Sequence, residues 1–163
     1  MLTDDLIPGI ATALLVRGER LGTAESCTGG LIAAACTDLA GSSAWFERGV
    51  VTYSNEAKAE LLGVPPELIA RHGAVSAEVA EHMARGLLAR APIHWALAVT
   101  GVAGPAGGSL AKPVGTVWLA LAHRGGDAKV WRENFGGDRQ AVRAQTVASG
   151  LAGLARALGP AAG

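Results

Sequence analysis

Apolar residues recur along the chain at two spacings, and these spacings predict the order of the helices and strands. Apolar positions three or four residues apart predict helices at 5–17, 29–39, 56–62, 66–71, 77–90 and 139–158. Short runs rich in aliphatic, β-branched and aromatic residues predict strands at 21–25, 45–53, 94–100, 114–123 and 129–135. Helices therefore separate the first three predicted strands, whereas no helix lies between the last three.

Small polar residues and glycines mark the ends of these elements. Ser54, Ser76 and Asp138 each precede a predicted helix and have side chains that commonly cap a helix N-terminus. Gly18 is expected to end the first helix, and Pro8 is compatible with that helix if it lies in the first turn. These residues delimit the elements without leaving room for a long linker.

The predicted strands form one mixed sheet. Residues 94–100 are almost continuously apolar, as in a strand that is buried on both faces. Gly125-Gly126-Asp127 predicts a hairpin between the last two strands, so part of the sheet is antiparallel. We therefore expect a three-layer α/β/α sandwich with a mixed five-stranded sheet, forming a single domain over residues 1–163.

The amino-acid composition narrows the classes of molecule that this protein is expected to bind. The 163 residues are half hydrophobic, which predicts a compact fold and favours buried contacts in a homo-oligomer. Fourteen basic residues balance fourteen acidic ones without a basic cluster, so we expect a small-molecule substrate and no nucleic-acid partner. The acidic N-terminus and the lack of a long apolar run predict a cytoplasmic protein without a membrane segment, in which Cys27 and Cys36 are reduced.

The stretch Ala24–Gly30, AESCTGG, joins a predicted strand to a predicted helix. Glycines allow backbone N–H groups to approach a ligand closely, and a helix start adds unpaired donors. We therefore predict that the turn formed by Ser26 to Gly30 binds a phosphate or a developing oxyanion, with Cys27, Thr28, Gly29 and Gly30 in contact with the substrate. The alternative is that Ser26 and Thr28 only cap the helix.

Lysine is rare in this chain, with three residues against eleven arginines. A desolvated lysine can act as a base, which arginine cannot do. Lys58 lies one turn into a helix that follows Tyr53, the only tyrosine, at a strand end. Ser26 as nucleophile, Lys58 as base and Tyr53 as an assisting hydroxyl would suit acyl transfer, with the Gly29 and Gly30 amides stabilising the oxyanion.

Other chemistries find less support in the residue pattern. Cys27 could be the nucleophile of a cysteine amidase, but no histidine has a spacing that selects it as base. Glu25 could hydrogen-bond Lys58 or merely end its strand, and His72 is expected to pack in a loop. No cluster has metal-site spacing, and no GxGxxG follows the first strand, so we expect neither a metal nor a nicotinamide cofactor.

Several long segments of the chain together resemble one known family. These are AESCTGG (24–30), GSSAWFERGVVTYSNEAK (41–58), HGAVS (72–76), VTGVAGPAGGSLAKPVGTVW (99–118) and FGGDRQAVR (135–143). They closely resemble the CinA C-terminal domain family, whose stand-alone members are nicotinamide-nucleotide amidases. The resemblance covers nearly the whole chain.

That resemblance implies hydrolysis of nicotinamide mononucleotide to nicotinic acid mononucleotide and ammonia without a metal or cofactor. It implies catalytic roles for Ser26, Tyr53 and Lys58, in agreement with the residue types. It also implies a substrate pocket, lined by Thr100, Gly101, Ala103, Gly104 and Arg139. The alternative is a non-catalytic nucleotide- or phosphate-binding module that acts with a competence or DNA-damage partner.

Overall fold

A five-stranded mixed sheet forms the centre of the computed structural model, which describes residues 3–160. Its strands are β1 (Leu21–Glu25), β2 (Phe46–Val51), β3 (Trp95–Gly101), β4 (Thr116–His123) and β5 (Ala128–Asn134). They lie in the order β2-β1-β3-β4-β5. β2, β1 and β3 are parallel, whereas β4 is antiparallel to both β3 and β5, which confirms the predicted mixed sheet and late hairpin.

Helices cover both faces of this sheet. They are α1 (Thr3–Arg17), α2 (Leu31–Thr37), α3 (Asn55–Leu62), α4 (Pro66–His72), α5 (Ala77–Arg90) and α6 (Arg139–Leu158), with one 3-10 turn at Ser42–Ala44. α1, α2 and α6 contribute to the core on one face, and α3, α4 and α5 contribute to the core on the other. The predicted three-layer arrangement is therefore confirmed. Within residues 3–160, no helix combines the length and the apolar character that a membrane crossing requires.

The two faces of the sheet carry side chains of different size. On β3, Leu97 and Val99 belong to the core shared with α1 and α6, whereas Ala96 and Ala98 belong to the core shared with α5. Small side chains on the second face allow α5 to lie close to the sheet. Helix α5 also packs directly against α3 at Gly86. Any side chain at this position would clash, because a Cβ atom on Gly86 would be 1.9 Å from the carbonyl oxygen of Leu62. This close packing fixes α3, the helix that carries Lys58.

The three predicted helix caps are present. The Ser54 hydroxyl accepts from the Ala57 amide at 3.0 Å, and the Asp138 carboxylate accepts from the Ala141 amide at 2.9 Å. The Ser76 hydroxyl accepts from the amide of Val79 at 3.3 Å. Each bond satisfies a donor that the helix itself leaves unpaired.

Two local predictions were wrong. The second helix does not begin at Gly29, because Gly29 and Gly30 have φ of 57° and 104°, values that favour glycine and break the helical path. Pro8 lies in the second turn of α1, because that helix already begins at Thr3. Pro8 is exposed, so water can solvate the Asp4 carbonyl that a proline cannot bond.

The carboxyl ends of the three parallel strands meet at one edge of the sheet. β1 ends at Glu25, β2 at Val51 and β3 at Gly101. Ligands in open α/β sheets bind at this edge. The fold therefore brings together the Ser26 turn, the start of α3 and the loop after β3, which are far apart in sequence.

Candidate active site

A cavity of about 280 Å³ opens at the carboxyl edge of the parallel strands. It is lined by Ser26, Cys27, Tyr53, Asn55, Lys58, Ala74, Val75, residues 100–104, Ala106, Gly107 and Arg139. Most of the residues singled out in the sequence therefore share one cavity, including the predicted groups Ser26, Tyr53 and Lys58.

Lys58 reaches Ser26 inside this cavity. The Nζ atom of Lys58 donates to the Ser26 Oγ atom at 3.1 Å and to the backbone oxygens of Thr52 at 2.9 Å and Tyr53 at 3.2 Å. Only 1% of Lys58 is exposed, and Ser26 is also buried. The serine hydroxyl therefore faces an amine that is held in a fixed position.

Burial lowers the pKa of Lys58, because the charged ammonium loses its hydration. None of the ion pairs between described residues includes Lys58, so no carboxylate offsets this effect through direct contact. A neutral amine has two N–H donors and one lone pair. The carbonyls of Thr52 and Tyr53 are the two nearest acceptors, with the Ser54 carbonyl farther away at 3.5 Å, and they can accept the two donors. The lone pair is then left to accept the Ser26 proton.

Glu25 ends β1, as one of the two expectations had it, but its carboxylate has a further role and makes no hydrogen bond to Lys58. Its buried carboxylate accepts from the Thr28 hydroxyl at 2.6 Å and from the amides of Ile32 at 2.9 Å and Ala33 at 3.0 Å. The carboxylate thus caps the N-terminus of α2, where negative charge is favoured. No sequence pattern pointed to this cap, because Glu25 precedes the helix by six residues.

We call residues 26–30 the serine turn. The capping carboxylate of Glu25 changes which backbone N–H groups are free in and next to this turn. The Gly29 amide donates to the Ser26 carbonyl at 3.1 Å, and the first turn of α2 is occupied by Glu25. Among residues 3–160, no other residue accepts from the amides of Cys27, Thr28 and Gly30. The prediction that the helix start and the Gly29 amide provide free donors is therefore wrong, since these groups hold the turn together.

Three predicted substrate contacts in the serine turn also need correction. Thr28, Gly29 and Gly30 are not among the cavity-lining residues. Thr28 is fully buried with its hydroxyl on Glu25, and the two glycines provide the backbone conformation that turns the chain into α2. The view that Ser26 only caps the helix is also wrong, because its hydroxyl points to Lys58.

Tyr53 and Arg139 meet at the mouth of the cavity. One nitrogen of the Arg139 guanidinium donates to the Tyr53 hydroxyl at 3.0 Å, and another donates to the Gly104 carbonyl at 2.9 Å. Tyr53 is 59% exposed, and its hydroxyl makes no hydrogen bond to Ser26 or Lys58. Its backbone carbonyl, rather than its phenol, contacts the amine of Lys58.

The end of β3 forms the opposite wall. The buried Thr100 hydroxyl donates to the Ala74 carbonyl at 2.9 Å and thereby ties β3 to the loop before α5. A Cβ atom on Gly101 would lie 2.7 Å from Val117 and 3.2 Å from the sulfur of Cys27. Only glycine fits at position 101. Thr100 and Gly101 therefore line the cavity, as predicted, and also pack against neighbouring elements.

Cys27 lies in the cavity wall, but its environment does not activate a thiolate. Burial raises the pKa of this thiol to about 11, which keeps it protonated near neutral pH. No described histidine contacts it; His94 accepts from the Arg20 amide, and His123 stacks on Trp95. Elsewhere in the described chain, no three His, Cys, Asp or Glu side chains group in a way that could hold a metal ion.

Arg143 is a site residue that the sequence analysis missed. It lies one turn after Arg139 on α6, and its guanidinium donates to the backbone carbonyls of Cys27 at 3.1 Å and Thr28 at 3.3 Å. An arginine four residues after another on a helix shares its face, which was the available signal. The partner carbonyls lie more than a hundred residues away in sequence, so this contact was not predictable.

Together, the fold and the cavity define a class: an α/β protein with a serine hydroxyl beside a buried lysine amine at the carboxyl edge of its parallel strands. The model of the CinA C-terminal domain family matches residues 4–158. The chain belongs to the CinA C-terminal domain family.

Curated relatives and solved structures agree with this membership. The chain is 56% identical to the nicotinamide-nucleotide amidohydrolase PncC of Escherichia coli strain K12, covering 87% of this chain and 86% of the relative. It is 59% identical to PncC of Pseudomonas putida, covering 81% and 82%. The crystal structure of the competence damage-inducible protein A from Klebsiella pneumoniae superposes with a TM-score of 0.93 at 45% identity, covering 97% of this chain and 98% of that one.

Proposed function

We propose that this protein is a nicotinamide-nucleotide amidohydrolase, which converts nicotinamide mononucleotide and water to nicotinic acid mononucleotide and ammonia. The observation that carries the proposal is the 3.1 Å contact between the buried Lys58 amine and the buried Ser26 hydroxyl at the 280 Å³ cavity. The PncC relatives, at 56–59% identity over most of their length, carry the name of this activity.

In the proposed mechanism, the neutral Lys58 amine accepts the Ser26 proton while Oγ attacks the carboxamide carbon of the substrate. The tetrahedral intermediate collapses when the carbon–nitrogen bond breaks and the Lys58 ammonium returns a proton to the departing nitrogen. Ammonia leaves, and an acyl ester remains on Ser26. Water then attacks this ester with Lys58 as base, which releases the carboxylate product and regenerates the serine hydroxyl.

We infer that the Cys27 backbone amide, in the serine turn, stabilises the oxyanion. The amide that follows a nucleophile on a strand-to-helix turn commonly has this role. Here the Cys27 amide makes no hydrogen bond to another residue between 3 and 160, and Cys27 lines the cavity, so this amide is available. It takes the role that the sequence analysis gave to the amides of Gly29 and Gly30, which do not line the cavity.

Arg139 is our candidate for contact with the substrate phosphate. It lies between the 280 Å³ cavity and an adjoining cavity of about 820 Å³, which is also lined by Arg143 and the first turn of α6. A guanidinium next to a helix start suits a phosphate. Tyr53, bonded to Arg139, would then assist by shaping the mouth of the site around the nucleotide.

The test is to incubate the purified protein with nicotinamide mononucleotide and to measure ammonia and the acid product by chromatography. We expect turnover that falls by at least about 10³-fold in Ser26→Ala, since loss of a nucleophile removes most of the rate enhancement. Folded wild-type protein that releases no ammonia would refute the proposal. Thermal stabilisation by the mononucleotide without product would favour the non-catalytic binding module instead.

The homo-oligomer and the cytoplasmic location stay predictions from composition. Light scattering on the purified protein would measure its oligomeric state. Fractionation of cells of the source organism would measure its location.

A further inference from the structure

Arg143 contacts the backbone of the serine turn from the side of α6. Its Nε atom donates to the Cys27 carbonyl at 3.1 Å, and its Nη2 atom donates to the Thr28 carbonyl at 3.3 Å. Both atoms come from one planar guanidinium, whose donors have a fixed relative geometry. The two carbonyls are therefore held relative to each other as well as to α6.

Every carbonyl from Ser26 to Thr28 accepts a hydrogen bond. The Ser26 carbonyl accepts from the Gly29 amide at 3.1 Å, and Arg143 binds the next two. The Thr28 carbonyl also accepts from the Leu31 amide at 3.0 Å, whereas Arg143 provides the bond to the Cys27 carbonyl. Because a peptide unit is planar, fixing a carbonyl also fixes the direction of the N–H group that follows it. The carbonyls of Ser26 and Cys27 thus set the directions of the amides of Cys27 and Thr28.

Within the serine turn, the amides of Cys27, Thr28 and Gly30 lack an acceptor among residues 3–160, and of these three residues only Cys27 lines the 280 Å³ cavity. Arg143 acts on the Cys27 amide through the turn. It shares the Thr28 carbonyl with the Leu31 amide, and the same peptide unit carries the Gly29 amide, which bonds the Ser26 carbonyl. Stabilisation of an oxyanion depends on donors that are oriented before the reaction begins.

We propose that Arg143 is a positioning residue: it holds the serine turn so that the Ser26 hydroxyl and the Cys27 amide face the reacting carbonyl. The proposal rests on the proposed function, since an oxyanion forms only if Ser26 attacks an acyl carbon. It assigns different roles to two arginines one turn apart, with Arg139 at the substrate and Arg143 at the backbone of the turn.

The competing role for Arg143 is direct contact with the substrate phosphate, because it also lines the 820 Å³ cavity. Two of its three nitrogens already donate to carbonyls of the turn. Two nitrogens of Arg139 also donate, but their acceptors, the hydroxyl of the exposed Tyr53 and the Gly104 carbonyl, lie at the mouth of the site. A positioning residue and a phosphate ligand affect different kinetic constants, so kinetics can separate them.

The first experiment compares Arg143→Met with Arg156→Met, which removes an exposed arginine from the last turn of the same helix. We expect kcat of Arg143→Met to fall about 10- to 100-fold, less than the ~10²- to 10³-fold cost of deleting an oxyanion donor, with KM nearly unchanged. Arg143→Lys should recover only part of the loss, because an ammonium keeps the charge and the donors but lacks the fixed planar geometry of the guanidinium. Wild-type kcat in Arg143→Met, or a rise in KM alone, would overturn the proposal.

The second experiment repeats these kinetics with the nucleoside that lacks the phosphate. A positioning residue lowers kcat/KM by the same factor for nucleoside and nucleotide, whereas a phosphate ligand affects only the nucleotide. Arg139→Met serves as the matched variant, since we expect it to lower kcat/KM for the nucleotide selectively. An Arg143 effect that disappears with the nucleoside would overturn the proposal.

The third experiment does not depend on the reaction. Hydrogen exchange, measured by mass spectrometry on peptides covering residues 24–31, should speed up in Arg143→Met and stay unchanged in Arg156→Met. Unchanged exchange in this segment would overturn the proposal even if the enzyme proved active. If the wild type released no ammonia, the proposed function would fail, and this measurement would still decide whether Arg143 holds the turn.

Discussion

Two glycine-containing segments follow parallel strands at the same edge of the sheet, but they are held in different ways. The serine turn is largely buried, and its polar groups are bonded to Glu25, to Arg143 and to each other. Most of the 102–115 loop is exposed, and its tip at Leu110 is fully so. Contacts from Arg139 to Gly104 and from Lys112 to the His72 carbonyl tie this loop to the rest of the structure.

The difference indicates that the two segments have different roles in the site. A group that attacks a substrate must be held within a fraction of an ångström, which requires bonded backbone on every side. A wall that contacts the substrate can be more mobile, since loops held by few buried contacts open at low cost in free energy. We therefore expect substitutions around the serine turn to affect kcat and stability, and substitutions in the 102–115 loop to affect mainly KM.

The largest effect on rate should come from Lys58, the base that faces the serine turn. Because burial lowers its pKa, kcat/KM should rise with pH through an apparent pKa below 10.5, the ordinary value for lysine. Lys58→Arg keeps the charge but cannot deprotonate, so we expect it to lower kcat by about 10²- to 10⁴-fold and to abolish this rising limb. A pH–rate profile of both proteins measures this, and an unaltered limb in Lys58→Arg would show that another group is the base.

The same lowered pKa has a consequence for stability. Between the pKa of folded Lys58 and 10.5, the unfolded chain binds more protons at this residue than the folded protein does. The contribution of Lys58 to the free energy of unfolding should therefore rise with pH in that window. Urea unfolding at several alkaline pH values, with Lys58→Met as the comparison, measures this contribution, and identical slopes for the two proteins would contradict the lowered pKa.

The largest effect on stability should come from Glu25. Glu25→Ala leaves the buried Thr28 hydroxyl and two helix amides without an acceptor, and each such group costs about 1–3 kcal/mol. We expect the free energy of unfolding to fall by at least about 2 kcal/mol. Glu67→Ala, which removes an exposed carboxylate from the first turn of α4, is the matched control in a denaturant titration. Equal small losses in both variants would show that the buried cap contributes little.

A smaller effect is expected in the 102–115 loop. Lys112→Met removes the donor to the His72 carbonyl, a bond of 2.6 Å. The free energy of unfolding should fall by about 1 kcal/mol or less, and KM should rise a few-fold with kcat unchanged, because this bond ties down the substrate wall. Lys129→Met, on the exposed side of β5, is the control. A fall in kcat without a change in KM would place the loop in the chemical step.

The smallest effect on rate should come from Cys27→Ala. The thiol is protonated at neutral pH because burial raises its pKa to about 11, so we expect kcat to stay within about threefold of wild type. Steady-state kinetics of Cys27→Ala, Ser26→Ala and the wild type provide the comparison. Loss of turnover in Cys27→Ala with activity retained in Ser26→Ala would instead support a cysteine amidase.

The local sequence pattern determined much of the fold. Periodicity predicted the order of six helices and five strands within residues 3–160, and small polar residues predicted the caps at Ser54, Ser76 and Asp138. These features depend on residues within one turn or one strand of each other, so the sequence shows them directly. The rarity of lysine and the position of Lys58 after a strand end likewise predicted its place beside Ser26.

Only the tertiary structure decided which groups surround the serine turn. Glu25 binds the start of α2, Arg139 bonds Tyr53, and Arg143 bonds carbonyls more than a hundred residues away. These contacts depend on how α2 and α6 pack against the sheet, which no local pattern encodes. The sequence thus determined which side chains could do chemistry, whereas packing decided which backbone groups are left free to assist them, because Glu25 occupies the amides at the start of α2 and Arg143 of α6 occupies carbonyls of the turn.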